Sequence, residues 1–242
     1  MSGYAFNKCY NLNTLEVDKD NPYFCSVNNY IFNKNMTTLL RVPVDFRCED
    51  IPNRENIQHL GEFMMSYSRI KEFIGWPNVT TIGVYFFHSS HNLRLVDISM
   101  TKVTSIPIYC FCDCMQLNEI HLPANVTYIS RYAFTQLFII TTIYIPLKVD
   151  NFEDLSFIDN PRLKNIVYFG DTSFENRNLI RNCPMMTNVR VTTTYPSSKF
   201  GYLNVKNDAY IFGSNYEVCQ SLKLQYSSQF SSLIPFVVFI LM

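Results

Sequence analysis

The chain has 242 residues, 48% of them hydrophobic, which is enough for one large domain or two small ones and excludes a disordered polypeptide. Twenty acidic and twenty basic residues cancel with no long run of either sign, so neither nucleic acid nor an anionic membrane surface is expected as a partner. The excess is aromatic, 20 Phe and 16 Tyr against 7 Gly and one Trp, and is expected to fill a core.

Taken in chain order, the first residues carry no basic start and no apolar run of the kind that marks a secretory leader. Residues 1–17 read as a partial repeat: Tyr4, Ala5 and Phe6 precede Cys9, and Leu12, Leu15 and Val17 follow. The unit opens without the preceding extended piece found in later ones, so the sequence is expected to be part of a longer protein or to lack its start. Residues 18–53 interrupt the pattern. Within them Tyr30 to Phe32 and Thr38 to Val42 flank Asn33, Lys34 and Asn35, which predicts a β-hairpin.

From residue 54 to 202 the chain repeats itself. Residues 79–98, 103–123 and 126–146 all read Val-Thr-x-Ile, then an aromatic, a small or aromatic residue and Phe, then an apolar-rich ending. A small or Cys position serves as the register mark at Ser68, Ser90, Cys114, Leu137, Asn160 and Cys183, at intervals of 22, 24, 23, 23 and 23 residues, although the mark itself degenerates at Leu137 and Asn160. Random apolar patterning does not hold such a register, so each unit is expected to stack on the last. Alternating residues such as Leu117, Ile120 and Leu122 predict a short strand with its apolar side inward; Val-Thr-x-Ile predicts a second extended piece, and the aromatic segment between them a tight helical turn. Residues 203–232 are left as a flank. Residues 233–242 form a ten-residue uncharged apolar run, roughly half a membrane span, preceded by serines too close for a good lipid-anchor signal.

At these residues the sequence resembles the BspA-like leucine-rich repeats, the type found in surface proteins of anaerobic bacteria and parasitic protists. The likeness runs from Ser2 to about Tyr202 and is carried by Tyr4-Ala5-Phe6, Tyr132-Ala133-Phe134, Leu60-Gly61, Ile82-Gly83, and Cys9, Cys114 and Cys183. The hairpin insertion, with Asn21-Pro22-Tyr23 before it, is similar to a variant carried between repeats of that family. The resemblance implies a leucine-rich-repeat solenoid, a right-handed curved stack of mostly short β-strands, which is α/β only by convention. It also implies a recognition function and not an enzymatic one.

Motifs that suggest chemistry weigh little against this frame. Cys110, Cys112 and Cys114 are closer together than structural zinc ligands usually are, and the register accounts for two of them as buried thiols; neither metal nor cofactor is expected. His59, His88, His91 and His121 accompany no nucleophile elbow, zincin motif or phosphate loop. Sequons begin at Asn35, Asn78 and Asn125, but the latter two arise wherever Asn precedes the repeated Val-Thr.

The expected recognition strip is the concave face, where residues between the inward apolar ones point out: Glu16, Glu72, Asp97, Glu119, His121, Tyr144, Asn165 and Arg190, acidic at first and neutral to basic later. Seven rungs about 4.8 Å apart would span roughly 30 Å, enough for a partner footprint of about 800 Å². A protein or glycan is the expected partner, with adhesion at a cell surface or membrane the favoured setting and an intracellular scaffold the alternative.

Overall fold

A computed structural model describes residues 3–6, 9, 11–175 and 177–209. Among these the chain winds into a β-solenoid of about seven turns with almost no helix, only three short 3-10 segments. The apolar tail expected over residues 233–242 and most of the flank before it lie outside the described residues.

Each coil has three sides. The first is the Val-Thr-x-Ile strand: β4 (His59–Leu60), β6 (Thr81–Ile82), β8 (Ser105–Ile106), β10 (Tyr128–Ile129) and β13 (Asn151–Phe152). The third is the period-two strand. It forms one parallel sheet from β5 (Glu72–Ile74), β7 (Leu95–Asp97) and β9 (Glu119–His121), and a second from β12 (Thr142–Ile145), β15 (Asn165–Tyr168), β17 (Asn188–Val191) and β19 (Leu203–Lys206). Apolar residues from both sides, Val79, Ile82, Val96, Ile106, Ile120, Ile129, Ile143 and Ile166 among them, meet in one buried core.

The middle side differs from expectation. Where a helical turn is expected, five successive coils each place two left-handed residues four positions apart, and both recur in register. They are Phe63 and Tyr67, Tyr85 and Ser89, Tyr109 and Asp113, Tyr132 and Gln136, and Leu155 and Asp159, with φ between 53° and 63°. One such residue breaks an α-helix and costs a non-glycine residue about 1–2 kcal/mol. The offset is visible in the hydrogen bonds, which alternate. Tyr85, Phe87 and Ser89 donate their N–H groups to the carbonyls of Ile108, Cys110 and Cys112 in the next coil, while His88 and Ser90 donate back to Tyr85 and Phe87 in their own. Further along, this side becomes a paired ladder, β11 (Phe134–Thr135), β14 (Phe157–Ile158) and β16 (Ile180–Arg181).

The aromatic excess sorts into two columns on this side. Phe87, Phe111, Phe134 and Phe157 stack in the core with ring centroids 5.2–5.7 Å apart. Phe63, Tyr85, Tyr109 and Tyr132 stack outside them at 4.6–4.8 Å, the spacing of β-strands, so each left-handed Tyr lays its ring on the previous one. Losing a core ring of this kind typically costs about 3–5 kcal/mol.

The register mark also acquires a physical meaning. Ser90 Oγ donates to the Met65 carbonyl (2.7 Å), Cys114 Sγ to Phe87 (3.1 Å), Asn160 Nδ2 to Phe134 (2.8 Å) and Cys183 Sγ to Phe157 (3.7 Å). Each is a short donor reaching a carbonyl of the preceding coil. Asn160 is therefore an equivalent and not a degenerate mark, and its Oδ1 accepts from the Leu137 N–H (2.8 Å), at the one position that lacks a donor side chain. The recurrent glycine is explained by proximity, since a Cβ on Gly83 would fall 2.4 Å from the Glu62 nitrogen one coil back.

The insertion is part of the stack. β1 (Phe24–Val27), β2 (Tyr30–Asn33) and β3 (Thr38–Arg41) form an antiparallel meander, and β3 then pairs in parallel with β4. The expected hairpin is present, its turn fixed by Asn33 Oδ1, which accepts from the Thr37 and Thr38 N–H groups. The additional strand β1 follows from left-handed Asn28 and Asn29, a pair suited to a tight hairpin turn. Tyr30, Phe32 and Leu39 join the common core, so the meander heads the first sheet. At the other end β18 (Lys199–Phe200) turns back on β19, and the repeat boundary expected at Tyr202 falls inside that hairpin.

Asn160→Ala should destabilise the chain by about 2–4 kcal/mol, because it leaves the Phe134 carbonyl and the Leu137 N–H buried without partners. Cys114→Ser, which keeps a donor, should cost less than half as much. Urea denaturation of both variants checks the contrast.

Candidate functional site

The third side presents two rows to solvent. Glu72, Leu95 and Glu119 align on the first sheet and Thr142, Asn165, Asn188 and Asn204 on the second; beside them run Ile74, Asp97 and His121, then Tyr144, Val167, Arg190 and Lys206. Of the residues expected on the strip, Glu72, Glu119 and Tyr144 are exposed and His121, Asn165 and Arg190 half-buried. The structure brings these together on one face.

Two expectations need correction. Glu16 is exposed but lies in no strand; its neighbours Leu15 and Val17 donate their N–H groups to Asn29 and Ser26 of the meander, which draws the first unit off the ladder. Asp97 is only 7% exposed, and both its oxygens are taken. Oδ1 accepts from the Ser99 N–H (2.9 Å) and hydroxyl (2.6 Å), and Oδ2 lies 3.2 Å from His121 Nδ1. The cause is the one 24-residue interval. Between Ile98 and Val103 stand four residues where 75–79 and 122–126 have three, and Asp97 ties down the extra residue. Val167, which shares a row with Tyr144 and Arg190, is buried as well.

His121 is clamped between two carboxylates, with Nε2 2.7 Å from Glu119 Oε1 as well. Burial pulls its pKa down, but the hydrogen bonds to Asp97 and Glu119 outweigh burial and push it up to about 9. Burial likewise opposes ionisation of Asp97, and the bonds from His121 and Ser99 overcome it and hold the carboxyl below its usual value. The imidazolium thus offsets part of the acidity expected of this half. The basic half is offset too: Arg190 Nε lies 2.7 Å from Asp208 Oδ1 and Lys206 Nζ 2.8 Å from Oδ2. Lys206 and Asp208 stand beside Arg190 on this face unforeseen from the sequence, because β19 follows β17 by 16 residues, off the 23-residue period.

The cysteine trio is structural. Burial raises the Cys110 and Cys114 thiols well above their usual value and, with Asp113 adding to it, pushes Cys112 up to about 12, which keeps them protonated and poorly nucleophilic. Among the described residues no group of three or more His, Cys, Asp or Glu side chains is placed to hold a metal ion, and no helix is long and apolar enough to cross a membrane. The sequon asparagines Asn35, Asn78 and Asn125 are exposed; Asn78 and Asn125 accept hydrogen bonds from Lys102 and Lys148 of the next coil.

Parallel coils of this length with this recurring register define a leucine-rich-repeat solenoid. The family described as BspA type Leucine rich repeat region matches residues 1–101 and 81–206 in six copies, and the chain belongs to that family. Its repeats are protein-interaction modules and not catalytic ones. A search of curated proteins finds no match. Among solved structures the chain is similar to the pneumococcal vaccine antigen PcpA, at 17% identity and a TM-score of 0.56, over 88% of this chain and 47% of that one. It is also similar to leucine-rich repeat proteins from Eubacterium ventriosum (21% identity, TM-score 0.41, 62% of this chain and 53% of that one) and Bacteroides ovatus (14%, 0.36, 74% and 63%). The chain thus spans about half the length of the first of these structures.

Because the folded pKa of His121 lies above the unfolded value of about 6.5, its stabilisation is complete below that pH and is lost as pH rises toward 9. Urea unfolding should show stability falling by on the order of 1–3 kcal/mol between pH 6.5 and 9. His121→Asn should flatten that slope; an unchanged slope would place the titration elsewhere.

Proposed function

We propose that this chain is the recognition module of an adhesive surface protein and that it engages its partner through the two rows on the third side of the coils. One observation supports this reading above others. The strand ladder keeps its core-facing residues apolar throughout while its outward residues change along the length, from Glu72 and Glu119 through Tyr144 to Asn165, Asn188 and Arg190. Packing fixes the first set, and a solvated face makes no demand for the second set to differ in this way. Tyr144 lies in the middle, 41% exposed with its ring parallel to that of Phe169, an aromatic anchor of the kind that dominates interface energetics. Surface display is proposed from membership of the family and from the antigen named among its structural relatives.

Two experiments test the two parts. Biotinylation of intact cells carrying a tagged chain should label it if it is displayed, and labelling only after lysis would sink that part. A partner recovered by crosslinking should be lost from the combined Glu72→Lys, Glu119→Lys and Tyr144→Ala variant. It should be kept by Lys102→Glu with Lys148→Glu on another edge. Retention by the first variant would move attention to the β1–β3 meander.

A further inference from the structure

At the end of the ladder a shallow groove of about 520 Å³ lies over β15, β17 and β19. Lys164, Arg190 and Lys206 line it together with Asn165, Asn188 and Asp208, so three cations face a single carboxylate. We propose that this groove takes an acidic peptide segment of a protein partner; this rests on the reading of the third side as a recognition face and names the chemistry that one part of it reads.

The chain's own Asp208 shows how. Arg190 donates through Nε to the Asp208 carboxylate (2.7 Å) and through Nη2 to its main-chain carbonyl (3.3 Å), while Lys206 Nζ holds the second carboxylate oxygen at 2.8 Å. An aspartyl residue is thus read by side chain and backbone at once, as a residue of a bound peptide is. The pairs stand at the surface, with Lys206 64%, Arg190 39% and their shared Asp208 26% exposed. Ion pairs so exposed are weak and exchange readily with a competing carboxylate.

Lys164, on the same groove, is exposed and has no ion-pair partner among the described residues, and so is available to a second acidic residue. Between the two cationic positions the amides of Asn165 and Asn188 offer donors and acceptors to a main chain. Asn165 donates to Thr142 Oγ1 and Asn188 to Thr187 Oγ1, which orients both amides. A polar, open groove without a deep apolar pocket suits an extended charged segment, whose association depends on charge complementarity.

Fluorescence anisotropy of a fluorescein-labelled deca-aspartate peptide with the whole chain, against a deca-asparagine control, tests this. Selective binding of the acidic peptide is expected. Lys164→Gln and Arg190→Gln should each weaken it at least fivefold, and Asp208→Asn, which removes the internal competitor, should tighten it at least threefold. Lys102→Gln, on another edge of the coils, should leave it within twofold. Lys164 is exposed and its side chain makes no hydrogen bond or ion pair among the described residues, so Lys164→Gln is informative even if Asp208→Asn fails to fold. Absence of binding, equal binding of the control, or indifference to both Lys164→Gln and Arg190→Gln overturns the proposal. So does a heparin-derived hexasaccharide that binds more tightly with the same variant pattern, which assigns the groove to an anionic glycan. If the peptide fails while the Glu72, Glu119 and Tyr144 variant still loses its partner, only the groove is wrong. If both fail, the recognition face itself is.

Discussion

The whole chain depends on adjacent coils meeting at the spacing of hydrogen-bonded strands, about 4.8 Å. At that distance alternate N–H groups of one coil reach carbonyls of the next, rings lie flat on rings, and a Ser, Cys or Asn side chain reaches one coil back. No coil offsets its own ordering entropy, and the stability of each resides in contacts with its two neighbours. The left-handed tyrosines follow from the same constraint. Their unfavourable backbone is accepted because it aims an N–H at the neighbour and leaves the ring in the stack.

Much of this was legible in the residues. The period, the inward apolar positions and the hairpin around Asn33 follow from patterns that packing and turn chemistry enforce one residue at a time. What was not legible depends on pairs distant in sequence. Nothing local in Tyr85 or Tyr132 announces a left-handed backbone, because the bonds that compensate lie 23 residues away. Asn160 passed for a lapse in the pattern because amide and thiol look unlike until both are seen donating to the same kind of carbonyl. On the ladder face, alternation correctly placed Glu72, Glu119, His121, Tyr144, Asn165 and Arg190. It failed at Asp97, where an extra residue in the following turn recruits the carboxylate, and at Glu16, which the meander draws away.

The two halves of that face are built differently. In the first, charge is locked in place, His121 between Asp97 and Glu119, so the groups serve rigidity. In the second, Arg190 and Lys206 share one half-buried carboxylate and Lys164 has no ion-pair partner among the described residues. Tyr144 stands where the two halves meet, at the step from β9 to β12, which belong to separate sheets among the described residues. An anchor at that step is bordered by a fixed side and an adaptable one.

The backward reach of the mark residues has a consequence for how such a chain changes length over generations. The units marked by Ser90, Cys114, Asn160 and Cys183 are each fastened to their predecessor by a donor whose acceptor lies 25 to 27 residues earlier, so a partial insertion or deletion between the two misaligns the fastening that spans it. Gain or loss of one entire unit leaves all of them intact. Ladders of this type can therefore lengthen and shorten by complete rungs, and the single extra residue before Val103 persists because Asp97 and Ser99 loop it out before the next fastening is reached.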